Sequence, residues 1–378
     1  MANDNMDLRL IGKAKDLRTN SHIIYGQIGI QNYLALIGDN FDKYGIQRKR
    51  EKHRAYKRMK EDIKVGALLP TITLAINQDK VQSLMPLIDQ DNQEQILKIL
   101  SVPGTFSILD GLQRTNILKD LKDEGHVFID NQQLLLEFWI EPDIKHLIYR
   151  LIVLNAGQKP MSMRHQIELL FMTLATKLQE SIEGLEIFKE TEERRRSRAG
   201  QYQFERVVTS YQSFLWKTAE LNKNNIITQQ IMEESVLDSN EEQLNDSFET
   251  FSNYLQLFVT MDRAYFSQSV IGSTFPDPNW LANENVMNSF FAAIADFSMN
   301  TDRTARINTA INCLISDIES QSIEDPFGIT TYRSILTGID TKKLNVGVAT
   351  RKLLFSGFKE YFREEGLKKL KDCWMTES

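Results

Sequence analysis

The sequence predicts an α+β chain, with an N-terminal α/β domain over 1–160 and a predominantly helical domain over 161–378. Strand and helix patterns alternate up to Pro160, whereas beyond it nearly every apolar pattern has helical spacing. An apolar fraction of 42% over 378 residues can supply hydrophobic cores for both halves.

The first expected helix runs from Gln47 to Gly66, with Ala55, Tyr56, Met59 and Ile63 at three- and four-residue spacings and Gly66 as its stop. "LLPTITLAI", 68–76, is β-branched and apolar, a buried strand with its proline near the start. "VQSLMPLIDQDNQEQILKILSVPG", 81–104, reads as an irregular insertion with one short helix, Gln93 to Leu100. "FSILDGLQRTNIL", 106–118, then changes from strand to turn to helix, and the helix runs to about Glu124 before Gly125. In "QLLLEFWIE", 133–141, Leu134, Leu136, Phe138 and Ile140 face one way along a strand. Asp143 suits the N-cap of "IKHLIYRLIVLNAG", which Gly157 ends, and Ser162 caps the next helix. Further helices are expected over 204–219, 241–263, 283–298, 303–319 and 349–373, with a linker, "GSTFPDPNW", at 272–280.

Composition excludes several classes. A net charge of −6 argues against a polyanion-coating chain, although residues 48–64 are strongly basic and 233–249 acidic. Cys313 and Cys373 are too few for a disulfide framework or a four-cysteine zinc site and read as buried or incidental thiols. The five histidines include no pair at ligand spacing, and none follows His165, which excludes an HNH-type nuclease module in the second half. No apolar run approaches the ~20 residues of a spanning helix and no leader pattern opens the chain, so the expectation is a cytoplasmic protein without a membrane partner. GxxxxGK[ST], H-E-x-x-H, C-x-x-C and G-x-S-x-G are all missing. "EFWIEPDIK" only loosely resembles a nuclease site, because its acidic spacing is poor.

The turn 110–114 concentrates the chemistry. A helix that starts directly after a strand points unpaired N–H groups and its positive dipole end at whatever sits above the strand, and phosphate suits that position. Gly111 permits close backbone approach or a positive φ, and Arg114, one turn on, has the fork for a phosphate oxygen. Asp110 is awkward beside a phosphate unless it holds a metal, orients the turn, or accepts from a ribose or from Arg114. The competing reading is that Asp-Gly is a favourable turn dipeptide and Arg114 a solvated helix residue.

Three other groups matter. Asn155 and Lys159 stand where Lys159 can approach a phosphate and Asn155 can bridge to the turn, yet "NAG" is also a sound helix C-terminus. Arg48, Arg50, Arg54, Lys57 and Arg58 form either a solvated helix face or an anion-binding stripe with salt-sensitive DNA affinity. Arg194, Arg195, Arg196 and Arg198 form a second basic cluster, with Tyr202 and Phe204 available for base stacking, or else an exposed loop leading into a core helix.

"DGLQR", after an apolar strand and before a helix, resembles the DGQHR or DGQQR signature of the ParB/sulfiredoxin-like superfamily, notably its DndB-type and DUF262-type members. "RKREKHRAYKRMKEDIKVGALLPTITLAI" is similar to the family's basic helix and following strand. "RLIVLNAGQKPMSMRHQIELL" is similar to a later element, and the likeness spans roughly residues 20–175. The resemblance implies a ParB/sulfiredoxin-like N-terminal domain in which Gly111, Arg114 and Thr115, with Asn155 and Lys159, bind a nucleoside triphosphate, with or without Mg²⁺. Asp110, Gln113 and Arg114 are then the catalytic candidates, and Asp110 the metal ligand. Leu112 departs from the pattern: sulfiredoxin has its reactive cysteine there, which rules out sulfinic-acid reduction, and the DndB and DUF262 groups have glutamine.

The expected function is therefore nucleotide binding with slow triphosphate hydrolysis, in a bacterial or phage DNA-modification or anti-phage defence system. The alternative is a DNA-binding transcriptional repressor or adaptor without turnover, and a nuclease ranks third. The partners implied are a nucleotide, duplex DNA and defence-system proteins, with a homo-oligomer left open.

Overall fold

The computed structural model describes residues 7–38, 54–143, 146–147, 167, 171, 175, 178–188, 195–221, 241–271, 275–338 and 346–376. Its contacts divide the chain into two units, Met1–Met161 with Leu169–Thr173, and Ser162–Glu168 with Leu174–Ser378. The fold is α+β.

In the first unit the elements are β1 (Arg9–Lys15), β2 (His22–Gly29), α1 (Ile30–Ile37), α2 (Arg54–Lys64), β3 (Ile72–Ile76), α3 (Gln78–Asp89), α4 (Gln93–Leu100), β4 (Phe106–Asp110), α5 (Leu112–Asp123) and β5 (Gln133–Ile140). The strands form one mixed sheet in the order β1-β2-β5-β3-β4, antiparallel except for the central β5–β3 pair. Strict alternation along β5 buries Leu134, Leu136, Phe138 and Ile140. With Ile24 and Ile28 of β2 and Ile72, Leu74 and Ile76 of β3, they make a core that Leu84 of α3 and Leu118 and Leu121 of α5 join. Burying each such side chain stabilises the fold by ~1.5–3 kcal/mol relative to leaving it in water.

Several elements differ from expectation. β1 and β2 were not anticipated, because β1 lies at the sheet edge, exposed for most of its length, and its Arg, Gly and Lys residues give little alternation. The 81–104 stretch is not irregular: α3 buries Val81, Leu84 and Ile88, and that apolar stripe outweighs the intrahelical bond lost at Pro86. The strand expected from residue 68 begins only at Ile72. On α2, Ile63 is buried and Tyr56 partly so, but Met59 is exposed, and the helix is described from Arg54 onward. The expected helices after Asp143 and Ser162 lie largely outside the described residues.

The second unit holds β6 (Glu186–Phe188) and β7 (Gln201–Gln203), a short parallel ladder that was not anticipated. Its helices are α6 (Phe204–Trp216), α7 (Glu241–Ile271), α8 (Glu284–Phe297), α9 (Thr301–Glu319), α10 (Ile329–Thr337), α11 (Val346–Arg363) and α12 (Leu370–Thr376). Aromatic rings dominate the core, with Phe251 and Phe291 centroids 4.8 Å apart and Phe290 edge-on to Phe358 at 5.3 Å. The helix expected over 349–373 is two, since Gly366 at φ +81° reverses the chain between α11 and α12. α10 was not foreseen either. Within the expected linker, Phe275 and Trp280 are buried, so the described part of that segment belongs to the core. Cys313 and Cys373 are free thiols, and burial pushes Cys373 up to about 12, which suppresses its thiolate.

Candidate functional site

β4 ends in a bulge. Leu74 pairs with Ile108 and Thr73 with Asp110, so Leu109 is an extra residue and Asp110 is brought opposite Thr73. Gly111 then adopts φ +99°, ψ 7° as the N-cap of α5. Two demands select glycine here: the left-handed backbone, and the approach of Ile72, whose Cγ1 would lie 3.0 Å from an added Cβ. Gly111 offers no side-chain cap to the first-turn amides of α5. They lie at the positive end of the helix dipole.

Arg114 reaches back over this turn. Its Nη1 donates to the carbonyl oxygens of Pro70 at 2.7 Å and Thr71 at 3.1 Å, and its Nη2 donates to Asp110 Oδ2 at 2.5 Å. The arginine side chain is 12% exposed and the aspartate 55%. Three of the five guanidinium N–H donors are thus engaged among the described residues, leaving Nε–H and one Nη2–H. The solvated-helix alternative for Arg114 is therefore incorrect: the side chain ties the segment entering β3 to the β4–α5 turn.

Beneath the turn, Thr115 is fully buried. Its Oγ1 donates to the Gly111 carbonyl oxygen at 3.0 Å, and because a hydroxyl has one proton, the Tyr33 hydroxyl must donate to Thr115 across 2.6 Å. Burial pushes the Tyr33 phenol well above its ordinary range, so that proton stays in place. The expectation that Thr115 contacts a ligand is corrected: its hydroxyl is committed inside the fold. Leu112 packs in the core cluster, and Gln113 is half-buried.

Sequence reasoning missed Thr73, and met Glu137 only as the first residue of "EFWIEPDIK", without its place beside the turn. Thr73 Oγ1 donates to Glu137 Oε2 at 3.2 Å, and strand register aligns Tyr25, Glu137, Thr73 and Asp110 across four strands. No local signal announces this row, because it exists only once the strand order is known. Among the described residues no group of three or more His, Cys, Asp or Glu side chains is arranged to hold a metal.

The basic clusters separate into different roles. Lys57 and Arg58 are exposed on α2, whose Tyr56 donates to Asp120 of α5 at 2.9 Å while Lys60 pairs with Glu124. Arg48, Arg50, Asn155, Lys159 and Arg194 lie outside the described residues, as does the side chain of Arg54. Arg195 and Arg198 are exposed. Arg196 is not a nucleic-acid contact: its side chain is 8% exposed and its Nη2 meets Oδ1 of the fully buried Asp262 at 2.7 Å. Tyr202 and Phe204 are likewise core residues rather than stacking platforms. A charge run in sequence does not reveal that one of its members has a buried partner on another helix.

Comparison of the chain with family models, curated proteins and solved structures finds no match. Among the described residues, no helix is long and apolar enough to cross a membrane.

Proposed function

We propose that the first unit binds a nucleotide through its phosphates at the first turn of α5. The observation that carries this reading is the way Arg114 is held. Two neutral carbonyls fix its guanidinium beside uncapped first-turn amides, and its acidic partner there, Asp110, is more than half exposed. Because the carboxylate side of this pair is open to solvent, a phosphate can take its place on the guanidinium at little cost. Donors fixed in advance by neutral acceptors lose little freedom on binding. Mg²⁺ fits the same arrangement, because it commonly takes one or two carboxylates and completes its shell with water and substrate phosphates. Asp110 would be the residue that holds it, and the ion would offset the charge between carboxylate and phosphate.

Hydrolysis, where it occurs, is slow. The residue after the glycine, glutamine in the resembling families, is here Leu112 and faces the core, where it orients no water. The resemblance of "DGLQR" and its flanking stretches supports a role in bacterial or phage DNA modification or defence. Thermal shift against ATP, GTP, CTP and UTP, each with and without Mg²⁺, tests the reading. At least one nucleotide should stabilise the chain, and Arg114→Ala should weaken its affinity tenfold or more. Stabilisation by none, or an affinity indifferent to Arg114→Ala, removes the proposal.

The exposed Lys57 and Arg58 favour a second reading, a DNA-binding repressor or adaptor without turnover. Charge reversal at Arg50, Arg54 and Arg58 separates the two. Loss of duplex binding with nucleotide binding intact supports the second.

A further inference from the structure

The second unit contains a cleft of about 460 Å³ lined by Gly184, Glu186, Arg198, Arg263, Phe266 and Ser267. Two glycines stand beside it, and neither has room for a side chain. Gly184 and Gly200 have φ of +83° and +72°; a methyl on Gly200 would collide with the Gly184 carbonyl oxygen, and one on Gly184 would come 3.1 Å from Arg263 Nη1. Behind the cleft, the backbone is pinned by Asp262, whose Oδ2 accepts from Gly200 N at 2.8 Å and from the Tyr202 hydroxyl at 2.7 Å.

Two of the lining side chains are exposed arginines, each paired with a carboxylate, of which Glu183 is exposed and Glu186 only 22% exposed. Arg198, 71% exposed, meets Glu186 at 2.7 Å, but Glu186 Oε2 also accepts from Gln201 at 2.8 Å and so keeps a donor if Arg198 turns away. Arg263, 49% exposed, meets Glu183 at 3.3 Å, and Glu183 is itself 83% exposed. Such pairs contribute little and exchange readily for another anion. Phe266 offers a flat wall, with the Arg196 guanidinium 5.4 Å from its ring centroid, and Ser267 adds a hydroxyl. The volume lies within the ~300–1,000 Å³ range of small-molecule sites, which favours a small molecule over a polymer as the occupant.

We propose that this cleft binds a small organic oxyanion, a phosphate monoester or carboxylate attached to a flat apolar group. The oxyanion takes the arginine forks in place of Glu183 and the outer contact of Glu186, and the flat group lies on Phe266. This is a site separate from the α5 turn and does not rest on the nucleotide reading.

The test is calorimetric titration of the full chain in an Arg114→Ala background, so that a phosphate site at α5 cannot contribute. Phenyl phosphate, benzoate and inorganic phosphate are the probes. Phenyl phosphate or benzoate should bind more tightly than inorganic phosphate, their order telling phosphate ester from carboxylate. Arg198→Ala and Arg263→Ala should each weaken the better probe at least tenfold, and Ser267→Trp, an exposed helical position, should abolish binding by filling the cleft. All three variants replace exposed residues, so their unfolding temperatures without ligand should match the parent and certify their folding. No binding of either aromatic probe, binding no tighter than inorganic phosphate, or binding unaffected by both arginine variants overturns the proposal.

Discussion

Each unit contains an arginine that clamps a glycine turn, and the two clamps are built from the same parts. Arg114 donates to the carbonyls of Pro70 and Thr71 and to Asp110 beside Gly111. Arg196 donates to the carbonyl of Gln201 at 3.2 Å, approaches that of Pro278 at 3.5 Å, and pairs with Asp262, which also receives Gly200 N–H. The difference lies in the aspartate. Asp262 is fully buried with three donors, whereas Asp110 is 55% exposed. A buried carboxylate cannot leave its partner without a large desolvation penalty, so the second clamp is architecture. Water can replace the exposed carboxylate, so the first clamp can accept another anion. Identical chemistry is structural or exchangeable according to its access to solvent.

The largest effect expected from this contrast is at Asp262. Asp262→Ala leaves Arg196 buried without its counter-charge and should cost about 3–5 kcal/mol in chemical denaturation. A loss below about 1 kcal/mol would mean that the second clamp is no more committed than an exposed pair. Next comes Gly111→Ala, which forces a methyl against Ile72 in a left-handed backbone. It should cost about 1–3 kcal/mol by the same measurement, together with weaker nucleotide binding. The smallest effect is at Asp110. Asp110→Ala should change stability by less than about 1 kcal/mol. If nucleotide binds, the variant should strengthen Mg²⁺-free affinity by relieving repulsion between carboxylate and phosphate. A stability loss as large as that of Asp262→Ala would erase the comparison.

Much of the first clamp was legible in the sequence. A strand pattern broken by Asp-Gly and resumed as a helix identifies the turn, and Gly111 has the positive φ that such a turn demands. Arg114 and its pairing with Asp110 could be singled out by spacing, but not its carbonyl partners, because Pro70 and Thr71 are 44 and 43 residues away. The second clamp was misread for the same reason. Arg196 stands in a run of arginines, and its partner Asp262 is 66 residues further on, in the middle of a long helix. β1 escaped notice because an edge strand carries charge that blurs its alternation. Thr115 looked like a ligand contact from its place in the motif, whereas packing under Tyr33 turned it inward.

By itself the sequence determined the α+β class, the strand-turn-helix at 106–123 and most of the helices after Pro160. These depend on side-chain periodicity and turn chemistry, which act over a few residues. Tertiary structure alone decided which arginine is sealed and which stays exchangeable, and which side chains gather around the cleft of the second unit. Those outcomes depend on solvent access and on partners distant along the chain, and neither exists until the chain has packed.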